Sequence, residues 1–192
     1  VLHRPWNPTQ LPMRRFDTYL PYVPSQKEVW DFIQSFSNLK HKAVISLMYS
    51  SGLRVGEVCA LRYEDISRSS MRIHICHSKA RSDRYAILSQ KALDILTQYW
   101  FRAGKPRGFL FPNRNDPQRP MAAYTVNQFI FAKETELGME HRFTCHTFRH
   151  AFGTHLYENG TDLLTIKALL GHKSLNSTTI YVHLASNGTA NA

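Results

Sequence analysis

Helix caps and glycine stops divide most of this chain into short helical segments, and they are the feature that most constrains its fold. The first helix begins with a capping box, in which Ser25 and Glu28 satisfy each other's backbone N–H groups. Apolar segments at 38–52, 144–160 and 161–171 each end at a glycine, the residue that most readily closes a helix. This pattern predicts a mainly helical domain.

One region has the periodicity of strands instead of helices. Residues 71–75 alternate apolar and polar side chains, and residues 84–88 do so more loosely. The segment between them, CHSKARSD, is polar and basic, which is typical of a hairpin tip. The fold class expected is therefore α+β, mainly helical, with a small antiparallel β-hairpin.

The length of 192 residues fits one substantial domain with short ends. We expect residues 1–20 to form an N-terminal arm or linker, 21–184 the folded domain, and 185–192 a flexible polar tail. No apolar run approaches the roughly 18 residues that cross a bilayer. These observations favour a cytoplasmic protein without a membrane partner.

Positive charge is in excess, with 24 Lys and Arg against 14 Asp and Glu, for a net charge of +10. Residues 62–119 hold twelve basic and five acidic side chains. Such an excess favours a polyanionic partner, most often nucleic acid. A groove that follows phosphates and a merely solvated basic surface both fit this distribution.

The cysteines and histidines do not show the spacing of a metal site. Cys59, Cys76 and Cys145 are far apart in the sequence, and the ten histidines form no zinc-ligand pattern with them. We therefore expect neither a disulfide framework, nor a metal ion, nor another cofactor.

The segment HTFRHAFGTH predicts a helix with two different faces. One face is apolar and explains the helix as a core element; it holds Phe148, Ala151, Phe152 and Leu156. The other holds His146, Arg149, His150 and Gly153. A histidine and an arginine one turn apart can bind one phosphate, although a solvated helix face has the same composition.

Two further residues have both a structural and a functional interpretation. Arg54 opens a short helix with Glu57 three residues later, which fits either an exposed ion pair or an arginine held for an anion. Lys79, in the hairpin tip, is either solvated or a proton donor to a leaving oxygen.

The C-terminal stretch GHKSLNSTTIYVHL contains two more candidates. His172 follows the helix stop at Gly171, a position from which its ring can point inward. Tyr181 follows nine residues later. Taken alone, a single tyrosine in an apolar run is most simply a core residue.

The joint order of these residues resembles the catalytic domain of the tyrosine recombinases, the phage-integrase and Xer-like family. The lines SGLRVGEVCALRYEDI and HTFRHAFGTHLYENGTDLLTIKALLGHKSLNSTTIYVHL look like that family's two signature boxes. The resemblance implies the tyrosine-recombinase catalytic-domain fold for residues 21–184. It also implies an integrase-type site-specific recombinase that cuts and rejoins double-stranded DNA through a 3′-phosphotyrosyl intermediate. Such an enzyme acts as a homo-oligomer, a tetramer, on DNA.

The resemblance also implies roles for individual residues. Tyr181 is the expected nucleophile, and Arg54 and Arg149 are expected to clamp the scissile phosphate. His146 corresponds to the proton acceptor of the H-x-x-R motif, and His172 to the family's second histidine, a phosphate donor.

The resemblance implies roles for two more residues. Lys79 matches the hairpin lysine, the expected general acid, in preference to the rival cations Arg81 and Arg84. Glu57 matches the supporting acidic position. His155 is expected to pack within the fold, and His150 has no assigned role.

Two other functions share part of this pattern. A type IB-like DNA topoisomerase uses similar chemistry, but the GLRVGE motif and the spacing from Gly-His to tyrosine favour a recombinase. A catalytically inactive DNA-binding module is also compatible with the charge. The presence of a suitable residue at every catalytic position argues against it.

Overall fold

The computed structural model describes residues 21–76, 83–140, 143–172 and 174–188. Within them, the helices are α1 Gln26–Ser35, α2 Leu39–Ser50, α3 Val55–Ala60, α4 Gln90–Arg102, α5 Ala123–Leu137, α6 Cys145–Glu158, α7 Leu163–Leu170 and α8 Asn176–Gly188. The strands are β1 Ile66–Ser67, β2 Arg72–Ile75 and β3 Arg84–Ile87. The predicted α+β, mainly helical fold with a small antiparallel sheet is confirmed.

Local signals in the sequence account for most helix ends. The capping box of Ser25 with Glu28 is present at the start of α1, and the Ser89 hydroxyl accepts from the Ala92 N–H at the start of α4. Gly171 ends α7 with a φ of 63°. At the C-terminus, α8 continues to Gly188, beyond the point where the tail was expected to begin.

The sheet is antiparallel, in the order β1-β2-β3. Its inner face is apolar and packs on the core: Ile73 and Ala86, which pair across β2 and β3, are both buried there. β1 was not predicted, because two residues are too few to show a strand period. Of the predicted hairpin tip at 76–83, residues 77–82, with Lys79 and Arg81, lie outside the described residues.

The main core surrounds α2, which packs against α1, α4 and α6. The six consecutive residues from Ala43 to Met48 are all buried, so α2 is enclosed on nearly every side. A smaller apolar cluster holds α8 against α6 and α7; it consists of Phe152, Ile166, Leu170, Tyr181 and Leu184. In the described part of the chain, no helix combines the length and hydropathy that a membrane crossing requires.

Gly52 joins α2 to the turn before α3 and allows two helices to approach closely. Its φ of 61° is in the left-handed region, and a Cβ built there lies 2.5 Å from Phe152 Cδ1 and 2.7 Å from Leu170 Cδ2. The position therefore requires glycine for its backbone conformation and also for the space beside it.

Replacement of this glycine is expected to destabilise the fold through both effects. In Gly52→Ala, the left-handed backbone costs roughly 1–2 kcal/mol and overpacking adds roughly 1–3 kcal/mol. Urea unfolding followed by circular dichroism measures the sum. Gly138→Ala is the matched control, because Gly138 has a φ of 59° but a Cβ there meets nothing within 4 Å. Equal losses in the two variants would show that the packing contribution is absent.

Candidate active site

Arg149 lies at the centre of the candidate site and is buried, with 5% of its surface exposed. Its Nη1 donates to the Gly52 carbonyl at 2.5 Å and its Nη2 to the Leu170 carbonyl at 2.6 Å. The guanidinium is thereby fixed between the end of α2 and the end of α7. The sequence placed Arg149 on a polar helix face, and the structure encloses that face with neighbouring elements.

Glu57 binds two arginines at once. Its carboxylate accepts from Arg54 Nη1 at 2.9 Å and from Arg84 Nη2 at 2.7 Å, and it also accepts from the Arg54 backbone N–H. The predicted contact of Arg54 with Glu57 is thus present. Burial by itself would raise the pKa of Glu57, but Arg84 and the hydrogen bonds from Arg54 hold this pKa below its usual value.

Arg84 is a part of the site that the sequence analysis did not assign. It bridges Glu57 and the Leu169 carbonyl, to which its Nη1 donates at 3.1 Å. A Cβ at Gly171 would lie 2.6 Å from Arg84 Cδ, so this glycine lets the arginine pass directly under the turn before His172. The position of Arg84 directly after the basic hairpin tip was visible in the sequence. Its partners, Glu57 and Leu169, could not be predicted because they are distant in the chain.

His172 leaves α7 through the Gly171 turn, and its Nδ1 lies 2.9 Å from the Thr178 hydroxyl. Burial, followed by Arg149 and Arg54, lowers the pKa of His172 to about 4. The imidazole is therefore neutral at pH 7 and offers an N–H donor without a charge. A neutral donor of this kind is compatible with the phosphate-donor role expected for His172.

Tyr181 packs against α6 with only 1% of its surface exposed. A Cβ at Gly153 would lie 2.5 Å from Tyr181 Cζ, so the space that this glycine leaves is filled by the phenol ring. The rings of His150 and His172 lie 6.2 Å and 6.3 Å from that of Tyr181, between centroids. Burial raises the pKa of the phenol, and Arg149 and Arg54 offset only part of the increase.

The three histidines of α6 have different environments. His146 is exposed, with its ring 6.4 Å from that of His150. The Nδ1 of His150 is buried and has no hydrogen-bond partner within the described part of the chain. His155 lies 2.9 Å from the Tyr49 hydroxyl and 3.1 Å from the Pro24 carbonyl, which confirms the packing role expected for it.

A cleft of about 580 Å³ opens over several of these groups. It is lined by Arg54, Val55, Gly56, Glu57, Ala60, Leu61, Arg62, Asp65, His74, Ile75, Cys76, Cys145, His146 and Arg149. Arg54 and Arg84 both pair with the Glu57 carboxylate, and Arg149 lies close enough to interact electrostatically with that carboxylate and with both arginines. Burial and then Arg54 lower the pKa of Arg149 to about 10. This uncompensated positive charge favours an anionic ligand.

The fold therefore brings most of the predicted residues together. Arg54, Glu57 and Arg149 meet at the cleft, with Tyr181 and His172 packed behind them. His146 lines the same cleft. Lys79 lies outside the described residues, so its expected role stays a prediction.

Comparisons with known proteins agree with this geometry. The sequence model of the Phage integrase family matches residues 25–187. The y4eF protein of Sinorhizobium fredii, which carries the name of an integrase/recombinase, is 37% identical over 188 residues, covering 97% of this chain and 74% of that protein.

Two solved structures have the same fold. The crystal structure of XerA recombinase has a TM-score of 0.80 at 26% identity, covering 90% of this chain and 64% of that one. The XerH site-specific recombinase bound to its palindromic difH substrate has a TM-score of 0.76 at 21% identity, covering 90% of this chain and 52% of that one. The chain thus spans one half to three quarters of the length of these three proteins.

Loss of Arg84 is expected to destabilise the fold, because Glu57 then stays buried with one cation instead of two. For Arg84→Met we expect a loss of roughly 2–4 kcal/mol in the free energy of unfolding. Arg119→Met is the matched control, since the ion pair of Arg119 with Asp116 is largely exposed. Its loss should stay under about 1 kcal/mol. Urea titration of both variants measures the difference, and equal losses would contradict the bridging role.

The low pKa of His172 predicts that the free energy of unfolding depends on pH. Because the folded-state pKa of about 4 lies below the reference value of 6.5, the folded protein binds this proton more weakly than the unfolded chain. The contribution of the neutral His172 to the free energy of unfolding is therefore complete above pH 6.5 and is lost as the pH falls from 6.5 towards 4. NMR titration of the imidazole, assigned with His172→Gln, measures the pKa directly. A value at or above 6.5 would contradict the neutral state, and a variant at exposed His183 provides the control for losing one imidazole.

Proposed function

The chain belongs to the phage integrase family, and on that premise we propose that it cuts and rejoins double-stranded DNA as a site-specific recombinase. The observation that carries this proposal is a group of three neighbouring guanidinium ions, two of them paired with the Glu57 carboxylate, next to a buried tyrosine. A phosphodiester supplies the negative charge that this group lacks. Tyrosine supplies a nucleophile, so that a covalent intermediate can form without an added cofactor.

In the proposed reaction, the Tyr181 oxygen attacks the scissile phosphorus and displaces the 5′-oxygen of the next nucleotide. One O–P bond forms and one breaks, so the 3′-phosphotyrosyl bond conserves the energy needed for rejoining. The phenol proton passes to a base, for which His146 is the candidate by resemblance. The 5′-oxygen takes up a proton from Lys79, the candidate general acid.

The arginines act mainly on the transition state. Attack adds negative charge to the phosphoryl oxygens, and donors fixed before the reaction stabilise that charge without reorganisation. Arg149 fits this role because two carbonyls already hold its guanidinium, and Arg54 because Glu57 orients it. His172, whose ring stacks on that of Tyr181, contributes a neutral N–H donor.

The resting position of Tyr181 requires one conformational step. Since the phenol is almost completely buried, a phosphate in the cleft can reach its oxygen only after α8 or the turn at His172 moves.

The proposed partner is double-stranded DNA, as for the related XerH recombinase, whose structure contains its difH substrate. The net charge of +10 supports the same partner. The relatives carry recombinase or integrase names, which favours strand exchange over relaxation by a topoisomerase. Assembly into a tetramer on DNA is proposed by resemblance to the family.

A suicide DNA substrate with a nick beside the cleavage position tests this function. The wild-type chain is expected to form a covalent protein–DNA adduct that survives denaturing electrophoresis, whereas Tyr181→Phe forms none. Arg149→Lys should lower the cleavage rate by at least about 100-fold, because an ammonium cannot replace the guanidinium fork. Tyr157→Phe is the matched control and should retain the adduct, because Tyr157 is a half-buried tyrosine that packs against the same apolar cluster.

Two results would contradict the proposal. An adduct that persists in Tyr181→Phe would assign the nucleophile to a different residue. Near-normal cleavage by Arg149→Lys would exclude a clamping role for that guanidinium.

A further inference from the structure

The outer face of the small sheet carries a group of potential metal ligands that the proposed reaction does not use. One ligand atom from each of Asp65, His74 and Cys76 lies within 4.8 Å of the other two. The three atoms are a carboxylate oxygen, an imidazole nitrogen and a thiol sulfur. This donor set is typical of zinc sites in proteins, and the sulfur disfavours magnesium and calcium.

The register of the sheet brings these side chains together. His74 lies in β2 and Cys76 directly follows its last residue, so the two side chains are two residues apart and point to the same face, opposite the buried Ile73 and Ile75. β1 pairs Ile66 with Ile73 in an antiparallel register. The preceding residue, Asp65, therefore lies opposite His74 on the same outer face.

Asp83 adds the kind of support that metal-bound histidines usually have. Its carboxylate lies 3.2 Å from His74 Nε2, and the Cys76 sulfur lies 3.4 Å from His74 Nδ1. Because a carboxylate accepts, Nε2 carries the hydrogen in the neutral ring and Nδ1 keeps its lone pair on the side of Cys76. A carboxylate–histidine pair of this kind fixes the orientation of a metal-ligating imidazole.

The charge around the cleft gives a separate argument, which rests on the proposed function. Asp65, His74 and Cys76 line the same cleft as Arg54 and Arg149. The Asp65 carboxylate, at the wall of a cleft that receives DNA, repels the phosphates of that DNA. A divalent cation bound there cancels that repulsion.

We propose that Asp65, His74 and Cys76 bind a zinc ion and that Asp83 orients the histidine. Zinc bonds of about 2.0–2.3 Å place tetrahedral ligand atoms roughly 3.5 Å apart, so the cluster closes by about 1 Å on binding. Cys76 is exposed and Asp65 only half-buried, which allows this adjustment. A water molecule completes the coordination. The ion ties β2 to β1 beside one end of the segment 77–82, which carries Lys79.

Titration of the full, reduced and chelator-treated chain with Co²⁺ tests this site. Cobalt takes up zinc's coordination and reports a thiolate ligand by a charge-transfer band in the near ultraviolet. We expect a band that saturates at one equivalent of metal and disappears when Zn²⁺ is added. Cys76→Ser should lose the band, His74→Ala should lose saturable binding, and Asp83→Asn should weaken the affinity roughly 10- to 100-fold.

The control variants identify the thiol and exclude binding elsewhere. Cys145→Ala removes the other thiol that lines the cleft, and His183→Ala removes an exposed histidine of α8; both should keep the band. Circular dichroism spectra establish that each variant is folded. Absence of the band in the wild type, or its persistence in Cys76→Ser, would overturn the proposal.

Discussion

The guanidinium of Arg149 lies between the carboxyl-terminal ends of two helices, and the arrangement of the site depends on that contact. A buried charge costs several kcal/mol unless it is hydrogen-bonded, and here two backbone carbonyls satisfy it. The carbonyls of Leu169 and Leu170 belong to the last turn of α7, where helical partners are lacking and the partial charge is negative. Arg84 binds the first and Arg149 the second. The end of α7 therefore organises both arginines, and it continues directly into the turn that carries His172.

This arrangement explains why the site is suited to an anion. Each arginine is neutralised only in part, because the carbonyls contribute dipoles and Glu57 contributes the one full negative charge that the two other arginines share. Burial and then the surplus positive charge lower the pKa of His172, and the same charge offsets part of the burial effect on the pKa of Tyr181. A phosphate group, which brings the missing charge, relieves the repulsion among the arginines and makes hydrogen bonds with the same donors.

The sequence predicted the features that depend on residues close together in the chain. Capping at Ser25 and Ser89, the stop at Gly171 and the contact of Arg54 with Glu57 all involve residues within one turn of each other, so their spacing is visible in the chain. The bond from Arg149 to Gly52 joins residues 97 positions apart, and that from Arg84 to Leu169 joins residues 85 apart. No spacing rule reveals such contacts. The proximity of Asp65 to His74 and Cys76 was not predicted for a related reason, since strand pairing brings Asp65 to them.

Tyr181 can be both a core residue and the proposed nucleophile. Its ring is a core element, packed on α6 in a cluster with Phe152 and Leu184, and its hydroxyl is the proposed nucleophile. That cluster is separate from the main core around α2, so α8 can move away while the larger part of the fold stays intact. Exposing one large side chain costs roughly 1.5–3 kcal/mol, a sum that a few charge-assisted hydrogen bonds to phosphate can offset. We therefore expect DNA binding to shift the population towards a conformation in which Tyr181 reaches the bound phosphate.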